Sequence, residues 1–174
     1  MIGRLVLSLD FELHWGIADH TPVADYRRNL LGGRDAIPLV LELFRRRDVH
    51  ATWATVGMLF ARNRRELLDV APALRPTYDD ARYSPYRLFG GIGEDERSDP
   101  FHYARSLIER VAECPGQEIG THTFSHFYCL ERGQTEPQFE ADLAAARRAG
   151  RDFGDVCKSL VLPRNQHNPA YDGV

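Results

Sequence analysis

Short apolar runs that end in polar clusters alternate with amphipathic stretches, and this alternation constrains the fold of the chain most. The apolar runs predict strands over residues 4–9, 49–56, 118–120 and 156–162. The amphipathic stretches between them predict helices over residues 34–47, 58–70, 101–113 and 135–150. Such an alternation is typical of α/β proteins, in which a parallel sheet or a (β/α) barrel is connected by right-handed crossovers.

The composition is that of a soluble globular domain. The 174 residues fit one domain, which we take to span residues 1–174, with 43% hydrophobic residues and a net charge of −3. The acidic balance argues against a nucleic-acid partner. No apolar run approaches the roughly 20 residues of a membrane span, and no signal peptide is visible. Three cysteines give no disulfide framework, so we expect a cytoplasmic protein.

Polar residues follow the first, third and fourth predicted strands. The first strand runs into Asp10, Glu12 and His14, which alternate along the chain and would share one side of an extended backbone. The third runs into His122 and His126, which would share one face of a helix. Because parallel strands place their carboxyl ends at one edge, these groups should converge. A further cluster, residues 163–168, follows the fourth strand.

Two histidines and a carboxylate are the ligand set of a catalytic divalent metal site. A second carboxylate beside such a site can accept a proton from water, and an arginine can keep that carboxylate ionised. These parts indicate metal-assisted hydrolysis of an amide or ester. Cys129 is either a further ligand or a small buried apolar residue, and the second alternative is favoured.

Residues 71–100 differ in character from the rest of the chain. They carry prolines, glycines and three tyrosines, Tyr78, Tyr83 and Tyr86, with Phe89 beside them. A loop of this length in a compact domain is usually functional or disordered. We expect an ordered segment whose rings either line the rim of a sugar-binding cleft or simply pack in the core.

Four segments together resemble the polysaccharide deacetylases, the NodB-homology group or carbohydrate esterase family four. They are residues 8–12 (SLDFE), 51–57 (ATWATVG), 118–126 (EIGTHTFSH) and 163–166 (PRNQ). The resemblance implies a distorted (β/α) barrel, a divalent metal, for which we expect zinc, and removal of acetyl groups from N- or O-acetylated carbohydrate. The family's late general-acid histidine has no counterpart, so the resemblance implies a domain truncated at its C-terminus.

The resemblance also assigns roles to individual residues. Asp10 matches the general base, and His122 and His126 match metal ligands. Glu12 stands where the family has an aspartate ligand, and Arg164 is similar to the arginine that tethers the base. Asn165 and neighbouring backbone N–H groups, together with Trp15, are candidates for contacts with the substrate or the developing oxyanion.

Two alternatives to a metal-dependent deacetylase stay open. The Asp-x-Glu spacing at residues 10–12 is similar to relatives that hydrolyse small cyclic amides without metal. A shortened barrel could instead be a non-catalytic sugar-binding or assembly module. A partial barrel also leaves an open sheet edge, which invites pairing with another chain.

Overall fold

A small parallel sheet lies at the centre of the computed structural model, which describes residue 3 and residues 5–174. Its strands lie side by side in chain order: β1 (Ser8–Phe11), β2 (Ala51–Thr55) and β3 (Gln117–Thr121). Both pairs are parallel, so the three strands end at the same edge. The α/β class is confirmed, and the sheet of the described residues is open rather than closed into a barrel. The predicted start of the first strand, Arg4, lies outside the described residues.

Four α-helices flank the strands in sequence: α1 (Val23–Arg47), α2 (Arg64–Val70), α3 (Arg105–Glu113) and α4 (Glu136–Gly150). The predicted start of the first helix at residue 34 is wrong, because α1 begins at Val23 and runs straight through Gly32 and Gly33. Its apolar stripe begins earlier, at buried Leu30, and continues to Ile37 and Leu41. Burial of that stripe outweighs the roughly 1 kcal/mol that each glycine costs in a helix interior.

The predicted fourth strand, residues 156–162, is reduced to one parallel bridge between Thr121 and Leu160. Two backbone hydrogen bonds form it: Thr121 donates to Ser159 at 2.8 Å, and Val161 donates to Thr121 at 3.0 Å. A turn in which Lys158 donates to Asp155 takes up the first half of the segment. Only residues 159–161 are therefore left to extend the sheet beyond β3.

The two faces of the sheet differ in chemistry. Trp53 and Phe11 point to one face, where they join the main hydrophobic core. The opposite face carries small and polar residues, including Thr52 and Glu118, which hydrogen-bond each other at 2.6 Å. The strand registers place Asp10 on this polar face, in one row with Ala54 and Gly120.

Residues 71–100 form an ordered segment with two short 3-10 helices, Ala81–Tyr83 and Pro85–Leu88. Tyr78, Tyr86 and Phe89 are buried, so packing, not a rim of exposed rings, describes these aromatic residues. Within the described residues no helix combines the length and the apolar character that a membrane crossing requires.

Candidate metal centre

Glu12, His122 and His126 come together beyond the ends of β1 and β3. Each offers one ligand atom, and these atoms all lie within 4.8 Å of one another. The Glu12 Oε2 atom is 2.9 Å from His126 Nε2 and 3.4 Å from His122 Nε2. Two ligand atoms on one tetrahedral zinc ion are about 3.3 Å apart, given bonds of about 2.0–2.1 Å. The donor set and its spacing therefore fit a divalent metal.

Glu12 reaches the histidines because the chain turns sharply after β1. Residues Leu13–Gly16 form a 3-10 helix, so the prediction that Asp10, Glu12 and His14 share one side of an extended strand is wrong. His14 turns into the interior, where its Nδ1 atom is 2.8 Å from His102 Nε2. Its backbone N–H donates to the Phe101 carbonyl at 3.2 Å. These contacts fix the turn and, with it, the position of Glu12.

Gly16 leaves the space that the Glu12 side chain occupies. A Cβ atom at position 16 would lie 2.0 Å from the Glu12 carboxyl carbon, far inside van der Waals contact. The carboxylate thus folds back over a glycine before it meets the two imidazoles. Any larger residue at position 16 must displace it.

The two histidines lie on an irregular loop, so the helical turn considered for residues 122–126 does not form. The loop is compact because Thr123 and His126 adopt left-handed backbone conformations, with φ of 64° and 55°. Such conformations are uncommon for non-glycine residues, and for a β-branched threonine they indicate strain. The imidazole rings stand 5.0 Å apart, centroid to centroid. The loop therefore brings the two imidazole rings together, as one turn of a helix would also have done.

Asp142, which lies on α4 and is fully buried, holds this loop from below. Its Oδ1 atom accepts hydrogen bonds from the Phe124 and Ser125 backbone N–H groups at 2.6 and 3.2 Å. Its Oδ2 atom accepts from the Ser125 hydroxyl. Burial raises the pKa of Asp142 to about 6, against the opposing effect of these hydrogen bonds.

The partners of each imidazole select the nitrogen that faces Glu12. His122 Nδ1 lies 2.8 Å from the Val161 carbonyl, which can only accept, so this nitrogen carries a proton. In neutral His122 the Nε2 lone pair then points at the Glu12 carboxylate. Two lone pairs that face each other repel. The arrangement therefore requires a positive charge between them, either a second proton on His122 or a cation between the groups.

The electrostatics keep Glu12 ionised. Burial raises the pKa of its carboxyl, but the hydrogen bonds and positive charges that His122 and His126 provide when protonated outweigh this and lower the pKa to about 2. Burial lowers the pKa of His126, although its hydrogen bond to Glu12 acts in the opposite direction. A divalent cation in place of the imidazole protons would balance the same carboxylate, with both imidazoles neutral. The Glu12 side chain is 28% exposed, so solvent reaches the group.

Arg164 supports the centre indirectly. It does not contact Asp10, as its predicted tethering role requires, but forms an ion pair with Asp19 at 2.7 Å. Its guanidinium also lies 4.5 Å above the ring of Tyr128. Tyr128 in turn hydrogen-bonds His126 Nδ1 at 3.1 Å. The arginine is thus joined to His126 of the candidate ligand cluster through a tyrosine.

Three of the remaining predicted residues are not members of the ligand cluster. Asp10 is exposed on the polar face of edge strand β1 and forms no ion pair with the described residues. Asn165 is exposed, and its backbone N–H is already bound to the Leu162 carbonyl at 2.9 Å. Trp15 is only 2% exposed, and its indole N–H donates to the His102 carbonyl, so it is a core residue and not a substrate contact. Cys129 packs with Phe127 in a second apolar cluster, as favoured.

Sequence reasoning missed Asp142, Tyr128, Asp19 and Gly16. Only Asp142 could have been noticed. It is an acidic residue at a buried position of the alanine-rich helix α4. Gly16 and Asp19 gave no signal, because their partners depend on the turn after Glu12.

Comparisons with protein-family models, with curated proteins and with solved structures find no match for this chain.

Proposed function

We propose that the chain is a metal-dependent hydrolase that removes acetyl groups from N- or O-acetylated carbohydrate, built on a partial (β/α) barrel of the NodB type. The single observation that carries the proposal is the convergence of Glu12, His122 and His126, with the His122 lone pair directed at an ionised carboxylate. The four segments that resemble polysaccharide deacetylases supply the acetylated carbohydrate as substrate class. Zinc is the proposed ion, because two imidazoles and one carboxylate suit it.

The proposed division of labour follows from position and charge. When bound, the ion polarises the acyl carbonyl and lowers the pKa of water at the centre. Glu12, His122 and His126 hold the ion, while Val161 and Tyr128 fix the two imidazole rings. Asp10, on the same edge of the sheet as Glu12, is the proposed base, and it accepts the proton of the attacking water.

Metal analysis combined with an acetate-release assay tests the proposal. The wild-type chain should bind about one zinc ion and release acetate from acetylated chitooligosaccharides. His122→Ala with His126→Ala should lose both properties, whereas His50→Ala, which removes an exposed histidine elsewhere, should keep both. Unchanged metal content in the double variant, or no turnover by the metal-loaded wild type, would contradict the proposal.

The base is tested separately, with a matched aspartate. Asp10→Asn should abolish turnover and retain the metal, while Asp19→Asn should retain turnover because Asp19 is committed to Arg164 and His20. The reverse result would make Asp19 the base, since it is the carboxylate paired with Arg164.

A metal-free amidohydrolase is a second candidate, and one observation favours it. The 2.9 Å contact between Glu12 and His126 is also a direct carboxylate–imidazole hydrogen bond, which can hold without any ion. This candidate predicts hydrolysis of a cyclic amide or ureide that continues in the presence of a chelator. The deacetylase predicts that chelation stops activity and that added zinc restores it.

A further inference from the structure

A cavity of about 800 Å³ lies beside the candidate metal centre. Its walls come from the turn after β1, the start of α1 and the 3-10 segments of residues 81–92. Ala18, Asp19 and Arg82 line it, and the same three residues line a narrow cleft that reaches His126 and Tyr128. The cavity and the cleft thus adjoin along these three residues. The volume falls in the range of ordinary small-molecule sites, about 300–1,000 Å³.

The charges that line the cavity do not balance. Arg82 is neutralised by Asp80 at 2.7 Å, and Asp19 is neutralised by Arg164 at 2.7 Å. Arg87 has no carboxylate partner among the described residues, since its guanidinium donates only to the carbonyl groups of Ala18 and Arg82. One uncompensated positive charge therefore faces the cavity.

The start of α1 adds to this positive character. Pro22 and Val23 stand in the cavity wall, and Pro22, the residue that precedes the 25-residue helix, offers no side-chain cap. The N–H groups at a helix start favour a negative ligand such as a phosphate, and Asp25 is the one acidic residue in the first turn of α1. The arginine supplies the charge-assisted hydrogen bonds that a phosphate accepts.

The rest of the lining is apolar or already satisfied. Val23, Leu88 and Ile92 offer aliphatic surface. The imidazoles of His14 and His102 are occupied by each other, by the Thr21 carbonyl and by Asp99, at 2.8–2.9 Å. They close one end of the cavity without offering a free polar atom.

We infer that this cavity binds the phosphate-bearing part of a phosphorylated, acetylated sugar, with Arg87 and the start of α1 as the phosphate site. The acetylated sugar rests on the proposed function, whereas the phosphate site rests only on the cavity and its charges. A phosphate held there would anchor a substrate whose acetyl group extends past Ala18 and Asp19 toward His126.

Calorimetric titration with N-acetylglucosamine 1-phosphate, N-acetylglucosamine and glucuronic acid tests the inference without turnover. The phosphorylated sugar should bind the wild type at least about tenfold more tightly than either other sugar. Arg87→Gln should remove that advantage. Arg65→Gln, which deletes an exposed arginine of α2, should preserve it. The variant that lacks His122 and His126 should also preserve it.

Equal affinity for the phosphorylated and neutral sugars would overturn the inference, as would tighter binding of the carboxylate sugar. Binding that survives Arg87→Gln but vanishes in the double histidine variant would place the phosphate on the metal centre and overturn it as well. Loss of deacetylation with the expected binding pattern would remove the proposed function alone and leave the phosphate site standing.

Discussion

At the scale of single residues, the site depends on the neighbours that position the candidate ligands as much as on the ligands themselves. Glu12 can reach both imidazoles only because Gly16 has no Cβ atom, and His122 presents Nε2 only because Val161 occupies its other nitrogen. The convergence of Glu12, His122 and His126 was predictable from the sequence, since they follow strands that end at one edge. Gly16 was not, because its role depends on a turn that replaces the expected extended strand.

Gly16→Ala should weaken zinc binding by about tenfold to a hundredfold, the range found when residues that orient a ligand are changed. The added methyl group would meet the Glu12 carboxyl carbon at 2.0 Å and push the carboxylate from the imidazoles. Competition titration with a zinc chelator measures the affinity.

The matched control is Gly32→Ala, within α1, where an added Cβ atom meets nothing within 4 Å. It should stabilise the chain by about 0.5–1 kcal/mol and leave zinc affinity unchanged. Equal zinc affinity in the two variants would show that Gly16 does not set the position of Glu12.

At the scale of elements, α4 supports the histidine loop through one buried carboxylate. The pKa of Asp142 in the folded chain is about 6, above its ordinary value of 3.8, because burial disfavours the charge. The folded state therefore binds the proton more tightly than the unfolded state does. As pH rises from about 4 to 6, ionisation of Asp142 costs folding stability, on the order of 2–3 kcal/mol in total.

Asp142→Asn removes this titration. The stability of the variant relative to wild type should therefore rise between pH 4 and pH 6 and level off above that. Urea unfolding at half-unit pH steps measures the difference. Asp69→Asn, which changes an exposed aspartate on α2, should follow the wild-type curve throughout. Parallel curves for Asp142→Asn and wild type would show that the carboxyl is not perturbed.

The helices and strands with a strong hydrophobic pattern were predicted best. The extent of those that depend on tertiary contacts was predicted poorly. The existence of β2, β3, α3 and α4 follows from local sequence, with shifts of a few residues at the ends. The 25-residue α1 could not be foreseen, because Gly32 and Gly33 favour a break that tertiary burial overrides. The fourth strand shrank to a bridge because the Asp155 turn competes for its residues.

At the scale of the whole molecule, the sheet ends in an unpaired edge. Within the described chain β1 pairs with β2 on one side only, and the segment before it exposes Leu5 and Val6 at 85% and 81%. An apolar edge of this kind is a template for pairing with another strand. We therefore predict that two copies of this 174-residue chain associate through the β1 edge.

Val6→Lys should shift sedimentation velocity profiles toward the monomer at concentrations where wild type associates, because a lysine on an edge strand opposes strand pairing. Leu39→Lys makes the same change at a residue of α1 that is also exposed, and it should leave the association intact. Loss of association in Leu39→Lys but not in Val6→Lys would assign the contact to the helical face instead. Because the proposed metal ligands lie beyond the carboxyl end of β1, Val6→Lys should also leave zinc binding unchanged, which separates assembly from the chemistry of the site.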